Sequence, residues 1–175
     1  MQTGFIGRAV LAGIFAAAPA LTAAQEVIGK ITGTLDDAER EWVIMDHHQG
    51  SQSEFHDYGI ITTLTLFGQP DGAGPLDTEQ ALIMDMSLQT KDPPVEGREV
   101  SVRYLLEGLF KGYTSSYDNE PQVVVTKLKK TGGGLSVAGT VNGQLGRSEG
   151  PGQAPDFTDA RTLEATFEAM LPAPG

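Results

Sequence analysis

His47, His48 and His56 are the chain's three histidines, and they lie close together with Asp46, Glu54 and Asp57 beside them. Imidazole and carboxylate are suitable ligands for zinc, copper or nickel when no thiol is present. The spacing suits a metal site if the segment forms two strands around a turn at residues 49–52, which puts His48 and His56 on one face. Against this, adjacent His47 and His48 point to opposite faces of an extended chain. No standard ligand spacing is matched either. A polar, solvated hairpin tip accounts for the same residues and is preferred, with the metal site as the alternative.

A second cluster is the segment 105–117, where Phe110, Tyr113 and Tyr117 stand among glycines and serines. Aromatics carried on small residues supply contact area at low entropic cost, a composition used by binding loops. The same residues suit a strand pair whose aromatics close one end of a core. Acidic groups at Asp77-Thr78-Glu79 and Asp118-Asn119-Glu120 carry oxygen ligands of the kind calcium takes. Neither follows the twelve-residue calcium loop, and turn formation is the commoner use of Asp and Asn.

Catalytic patterns are mostly absent from the sequence, though a Ser/His/Asp or paired-carboxylate site assembled from distant residues stays open. The chain holds no Gly-x-Ser-x-Gly elbow, no His-Glu-x-x-His, no phosphate-binding glycine loop and no dinucleotide fingerprint. Gly132-Gly133-Gly134 precedes an alternating run and reads as a hairpin turn. No cofactor is expected.

The compartment is read from the first residues. One positive charge at Arg8, an apolar run over residues 9–21 and the small residues Thr22-Ala23-Ala24 make a secretory leader cleaved before Gln25. The run is too short for a bilayer core, which takes about 20 helical residues. With no cysteine, disulfides and thiol chemistry are excluded, as is an acylated cysteine anchor. The expectation is therefore a soluble exported domain, periplasmic or extracellular, over residues 25–175, with no stable membrane insertion after cleavage. Loss of Arg8 leaves 11 basic against 23 acidic residues, a formal charge of −12. Such a balance repels nucleic acid and anionic lipid.

The elements that must position these groups are short strands. Turn formers at Asp36-Asp37 and at residues 69–75, 92–94, 118–121, 131–134 and 148–155 divide the chain. Between them, apolar and polar residues alternate as in half-buried antiparallel strands. Leu135, Val137, Gly139, Val141, Gly143 and Leu145 share one face, and Val27, Gly29, Ile31, Gly33 and Leu35 repeat the layout. Glycine on an inward face marks a bend or a close approach, with Trp42 and Phe167 as fillers. Further strands are expected over residues 41–45, 60–67, 82–88, 99–105 and 122–129. The segment 158–171 fits a helical stripe, yet Leu163, Ala165, Phe167, Ala169 and Leu171 alternate without a break, which favours strand.

Eight to ten strands in one domain predict an all-β, antiparallel sandwich or small closed barrel. The function expected is non-enzymatic binding of a protein or cell-envelope component through Phe110, Tyr113 and Tyr117. One alternative is a barrel holding a small apolar ligand in space opened by inward glycines. The other is a metal-binding protein using His47, His48 and His56.

Overall fold

Ten antiparallel strands join into one sheet that closes on itself in the computed structural model, which describes residues 26–46, 52–74 and 77–173. The leader at residues 1–24, and His47 and His48, lie outside the described residues. In chain order the strands are β1 (Glu26–Leu35), β2 (Ala38–Asp46), β3 (Glu54–Asp57), β4 (Ile61–Pro70), β5 (Leu82–Gln89), β6 (Val95–Glu107), β7 (Lys111–Thr114), β8 (Gln122–Thr131), β9 (Gly134–Ser148) and β10 (Asp156–Pro172).

The ring runs β10-β1-β2-β4-β5-β6-β7-β9, with β3 on β4 and β8 on both β6 and β9, and β10 pairs with both β9 and β1, which completes it. The ring is uneven. The ladder of β10 on β9 runs unbroken from Ala160 against Gly146 to Pro172 against Gly134, whereas β2 meets β4 only over residues 42–44.

Two positions in the ring are occupied by a pair of strands laid end to end. β2 and β3 both run antiparallel to β4, against residues 68–70 and 62–65 respectively. β7 and β8 likewise both run antiparallel to β9, against residues 146–148 and 134–142. Where a strand breaks, its neighbour's N–H groups need another acceptor. Side chains supply them: Ser53 Oγ accepts from Phe67 N at 2.8 Å, Ser115 Oγ from Val102 N at 2.9 Å, and Glu120 Oε1 from Val100 N at 2.5 Å.

The inward faces follow the alternation. Ile31 and Leu35 of β1, Val100, Val102 and Tyr104 of β6, and Leu163, Ala165, Phe167, Ala169 and Leu171 of β10 are buried in one apolar core. Outside, Thr162, Glu164, Thr166 and Glu168 face water. This apolar-inside, charged-outside arrangement is the reverse of a lipid-spanning barrel. The segment 158–171 is strand, not helix.

Bulges correct the pattern in two places. A register shift between Val27 and Gly29 turns Val27 out to 61 % exposure and packs Ile28 against the core instead. Val27 therefore does not share the inward face of Gly29 and Ile31. In β8 a shift between Val125 and Lys127 moves the inward phase from Val123 and Val125 to Leu128. One extra residue reverses the facing of all that follow until the next irregularity.

Candidate recognition groove

The tight turn of the β1–β2 hairpin consists of Asp36 and Asp37, with φ of 50° and 60°. Two successive left-handed residues match the twist of a two-residue hairpin, and Asp tolerates them. The turn is fastened across the ring to β10. Asp36 Oδ1 accepts from Thr162 N at 2.8 Å, and its other oxygen takes a short ion pair from the Arg161 guanidinium. Partial burial pushes the Asp36 carboxyl pKa upward, but Arg161 and the Thr162 N–H outweigh it and hold the group below the ordinary range.

Arg161 also stacks on the ring of Tyr113, 5.0 Å from its centroid, and Arg147 of β9 approaches the same ring at 5.5 Å. The Tyr113 hydroxyl donates to Asp159 at 3.4 Å. Asp36 raises the Arg161 pKa, with Tyr113 adding to the effect. These contacts tie β1, β7, β9 and β10 together at one end of the ring. At the other end, Lys130 of β8 pairs with Asp57 of β3.

Beside the first network lies a groove of about 220 Å³. Leu109 and Phe110, in the turn between β6 and β7, form one wall at 52 % and 58 % exposure. Residues 150–153, in the glycine- and proline-rich connection from β9 to β10, form the other. Arg103, Leu105, Thr114 and Ser148 contribute to the lining between them. The β6–β7 hairpin is held by its ladder and by the Lys111–Glu107 ion pair at 3.0 Å.

Of the three aromatics expected to act together, Phe110 and Tyr113 both line this groove and Tyr117 does not. Phe110 faces solvent at the groove, and Tyr113 is a core residue at 4 % exposure. Tyr117 stands at 94 % exposure on the turn closed by the Ser116–Asn119 bridge. Arg103, Leu109, Ser148 and residues 150–153 were not singled out from the sequence. Their signals were an outward place in an alternating strand, an aromatic neighbour and a loop composition, none of which names a partner across the fold.

The other candidate clusters are placed as follows. His56 is exposed on β3, 3.6 Å from Glu54 and stacked at an angle on Tyr58. β2 and β3 run in the same direction along β4, and His47 and His48, the other two members of the expected cluster, lie outside the described residues. Among the described residues, no group of three His, Asp or Glu side chains is arranged to hold a metal ion. Asp77 and Glu120 do turn and ladder work: Asp77 accepts from Gly74 N, Glu120 from Val100 N.

Inward glycines give room to neighbouring atoms and do not open a cavity at their own positions. An added Cβ at Gly139 would lie 2.7 Å from Phe167 Cζ, and at Gly68 it would lie 2.7 Å from Trp42 Cβ. At Gly29 and Gly33 it would strike Ala169 and Ala165.

Fold and site together define an all-β, closed-ring domain with an aromatic-walled surface groove at one end. No protein-family model, curated protein or solved structure matches the chain.

Proposed function

We propose that this chain is an exported, non-enzymatic β-domain that binds a protein or cell-envelope component at the groove beside Phe110. The observation that carries the reading is the pair Leu109 and Phe110, two large apolar side chains held in water beside a concave surface. Leaving such area exposed forgoes about 25 cal/mol per Å² of burial. Apolar side chains grouped at a groove rim mark an interaction site more than scattered ones do. The leader-like start at residues 1–24 and the charge of −12 after its removal support an exported, soluble product that avoids nucleic acid.

Site-specific photo-crosslinking tests the reading. A photoreactive residue at Phe110 should trap one dominant adduct in the native host's periplasmic fraction, which Leu109→Ser should abolish. The same probe at Thr166, on the outer face of β10, should not trap it. Equal adducts at both positions would remove the groove from consideration. Export is checked separately by the N-terminus of the processed protein, expected at Gln25.

A further inference from the structure

Ser148 is nine-tenths buried among the groove-lining residues, and its hydroxyl has no protein hydrogen-bond partner among the described residues. Its oxygen is open to solvent, since among the described residues no fully enclosed side-chain oxygen lacks a bond. This places a solvent-reachable hydroxyl donor at the groove.

Charge adds a second constraint. The chain is strongly acidic overall, yet among the described residues none that lines the groove is a carboxylate, and the only charged one is Arg103. Arg103 donates to Asp85 through one nitrogen at 3.3 Å, a long bond for an ion pair, and its side chain is about two-fifths exposed. A guanidinium has five donors in a planar fork suited to a carboxylate, so most of this one's capacity is left over.

Size is the third constraint. An engineered cavity of about 150 Å³ admits benzene, so a groove of about 220 Å³ accepts one large side chain. Leu105, Leu109 and Phe110 offer it apolar contact.

We propose that the groove takes the C-terminal residue of a partner polypeptide, its apolar side chain against Phe110 and Leu109 and its α-carboxylate on Arg103 and the Ser148 hydroxyl. This rests on the groove being the binding site and adds the class of its occupant. A residue carrying both an apolar side chain and a carboxylate fits the lining better than a purely apolar segment, which would leave the remaining donors of Arg103 and Ser148 unused.

The test is a titration of the ¹⁵N-labelled protein with two forms of the peptide Gly-Gly-Phe, one with a free carboxylate and one amidated. The free acid should shift the backbone amides of Phe110, Gly112, Thr114, Ser148 and Gly152, and amidation should weaken it at least tenfold. Arg103→Gln should give the same loss, with folding checked by the unperturbed remainder of the spectrum. Asp85→Asn, which frees Arg103 from its competitor, should tighten the free acid. Equal binding of the two peptides, still abolished by Phe110→Ala, would overturn the C-terminal inference while keeping the groove as the site. Tighter binding of decanoate than of the free-acid peptide would replace the polypeptide with a fatty acid and overturn the inference too. Shifts absent from the groove with every probe would overturn the inference, and crosslinking at Phe110 would then decide the groove by itself.

Discussion

Arg161 of β10 reaches the carboxylate of Asp36 at the tip of the β1–β2 turn while its guanidinium lies over the ring of Tyr113, so one side chain fastens three strands across the seam that closes the ring. Asp36→Asn keeps a residue suited to the left-handed turn and removes the charge. The pair is partly exposed, so the cost at neutral pH should be on the order of 1 kcal/mol or less, about 2–4 °C in Tm for a domain of this size. Because the folded-state pKa of Asp36 is lowered, its contribution is present above the ordinary value of 3.8 and is lost as pH falls through that value toward the lower folded one. Thermal melts at pH 7 and pH 3 should show the gap between variant and wild type closing in acid. A gap that stays constant would remove the charge from the explanation.

Tyr113 and Phe110 should behave oppositely on truncation. Tyr113→Ala opens a cavity in the main core and should cost about 3–5 kcal/mol, whereas Tyr113→Phe keeps the ring in the core and loses only the hydroxyl's contacts, with Asp159 at 3.4 Å and with Arg147 and Arg161. Phe110→Ala should stay within about 0.5 kcal/mol of wild type. Urea unfolding curves of the three variants check this, and a large loss for Phe110→Ala would make it a packing residue.

Gly139→Ala should destabilise by about 1–3 kcal/mol through overpacking. The added methyl would meet both Phe167 Cζ at 2.7 Å and, closer still, the Val124 carbonyl oxygen. Shrinking the ring with Phe167→Leu should therefore fail to rescue it, since the backbone contact remains. Full rescue in the double variant would show that the side chain alone required glycine.

Ser115→Ala tests whether a side chain replaces a missing ladder partner. It leaves Val102 N without its acceptor in a buried strand and should cost about 1–3 kcal/mol. Hydrogen exchange should speed up at Val102 above all; unchanged exchange there would mean another acceptor serves.

Gln69 is fully buried, and its amide nitrogen donates to the carbonyls of Gly74 at 2.9 Å and Asp77 at 2.6 Å. The same loop bonds the sole tryptophan, whose Nε1 donates to Gln80 O at 2.8 Å. Gln69→Ala should loosen the loop and red-shift the emission of Trp42. An unshifted spectrum would show that the bond to Gln80 holds without Gln69.

Much of the strand pattern was legible because apolar and polar residues alternate wherever a strand has one wet face. β9 and β10 show this over long runs, and there the inward residues were named correctly, as was the Asp36-Asp37 turn. Val27 was misplaced because a bulge leaves no mark in the alternation until it has already reversed it. Of the candidate site, Phe110 was legible as an aromatic among small residues, but Tyr113, three positions on, carries the same local signal and is buried.

The sequence by itself determined the all-β class, the turn positions and which face of each long strand is apolar, since these depend on residues a few places apart. Only the tertiary structure decided that β10 closes on β1, that β2 with β3 and β7 with β8 share single positions in the ring, and that Arg103, Phe110 and Ser148 line one groove. Those relations join residues far apart in the chain, and no local periodicity records which strand will lie beside which.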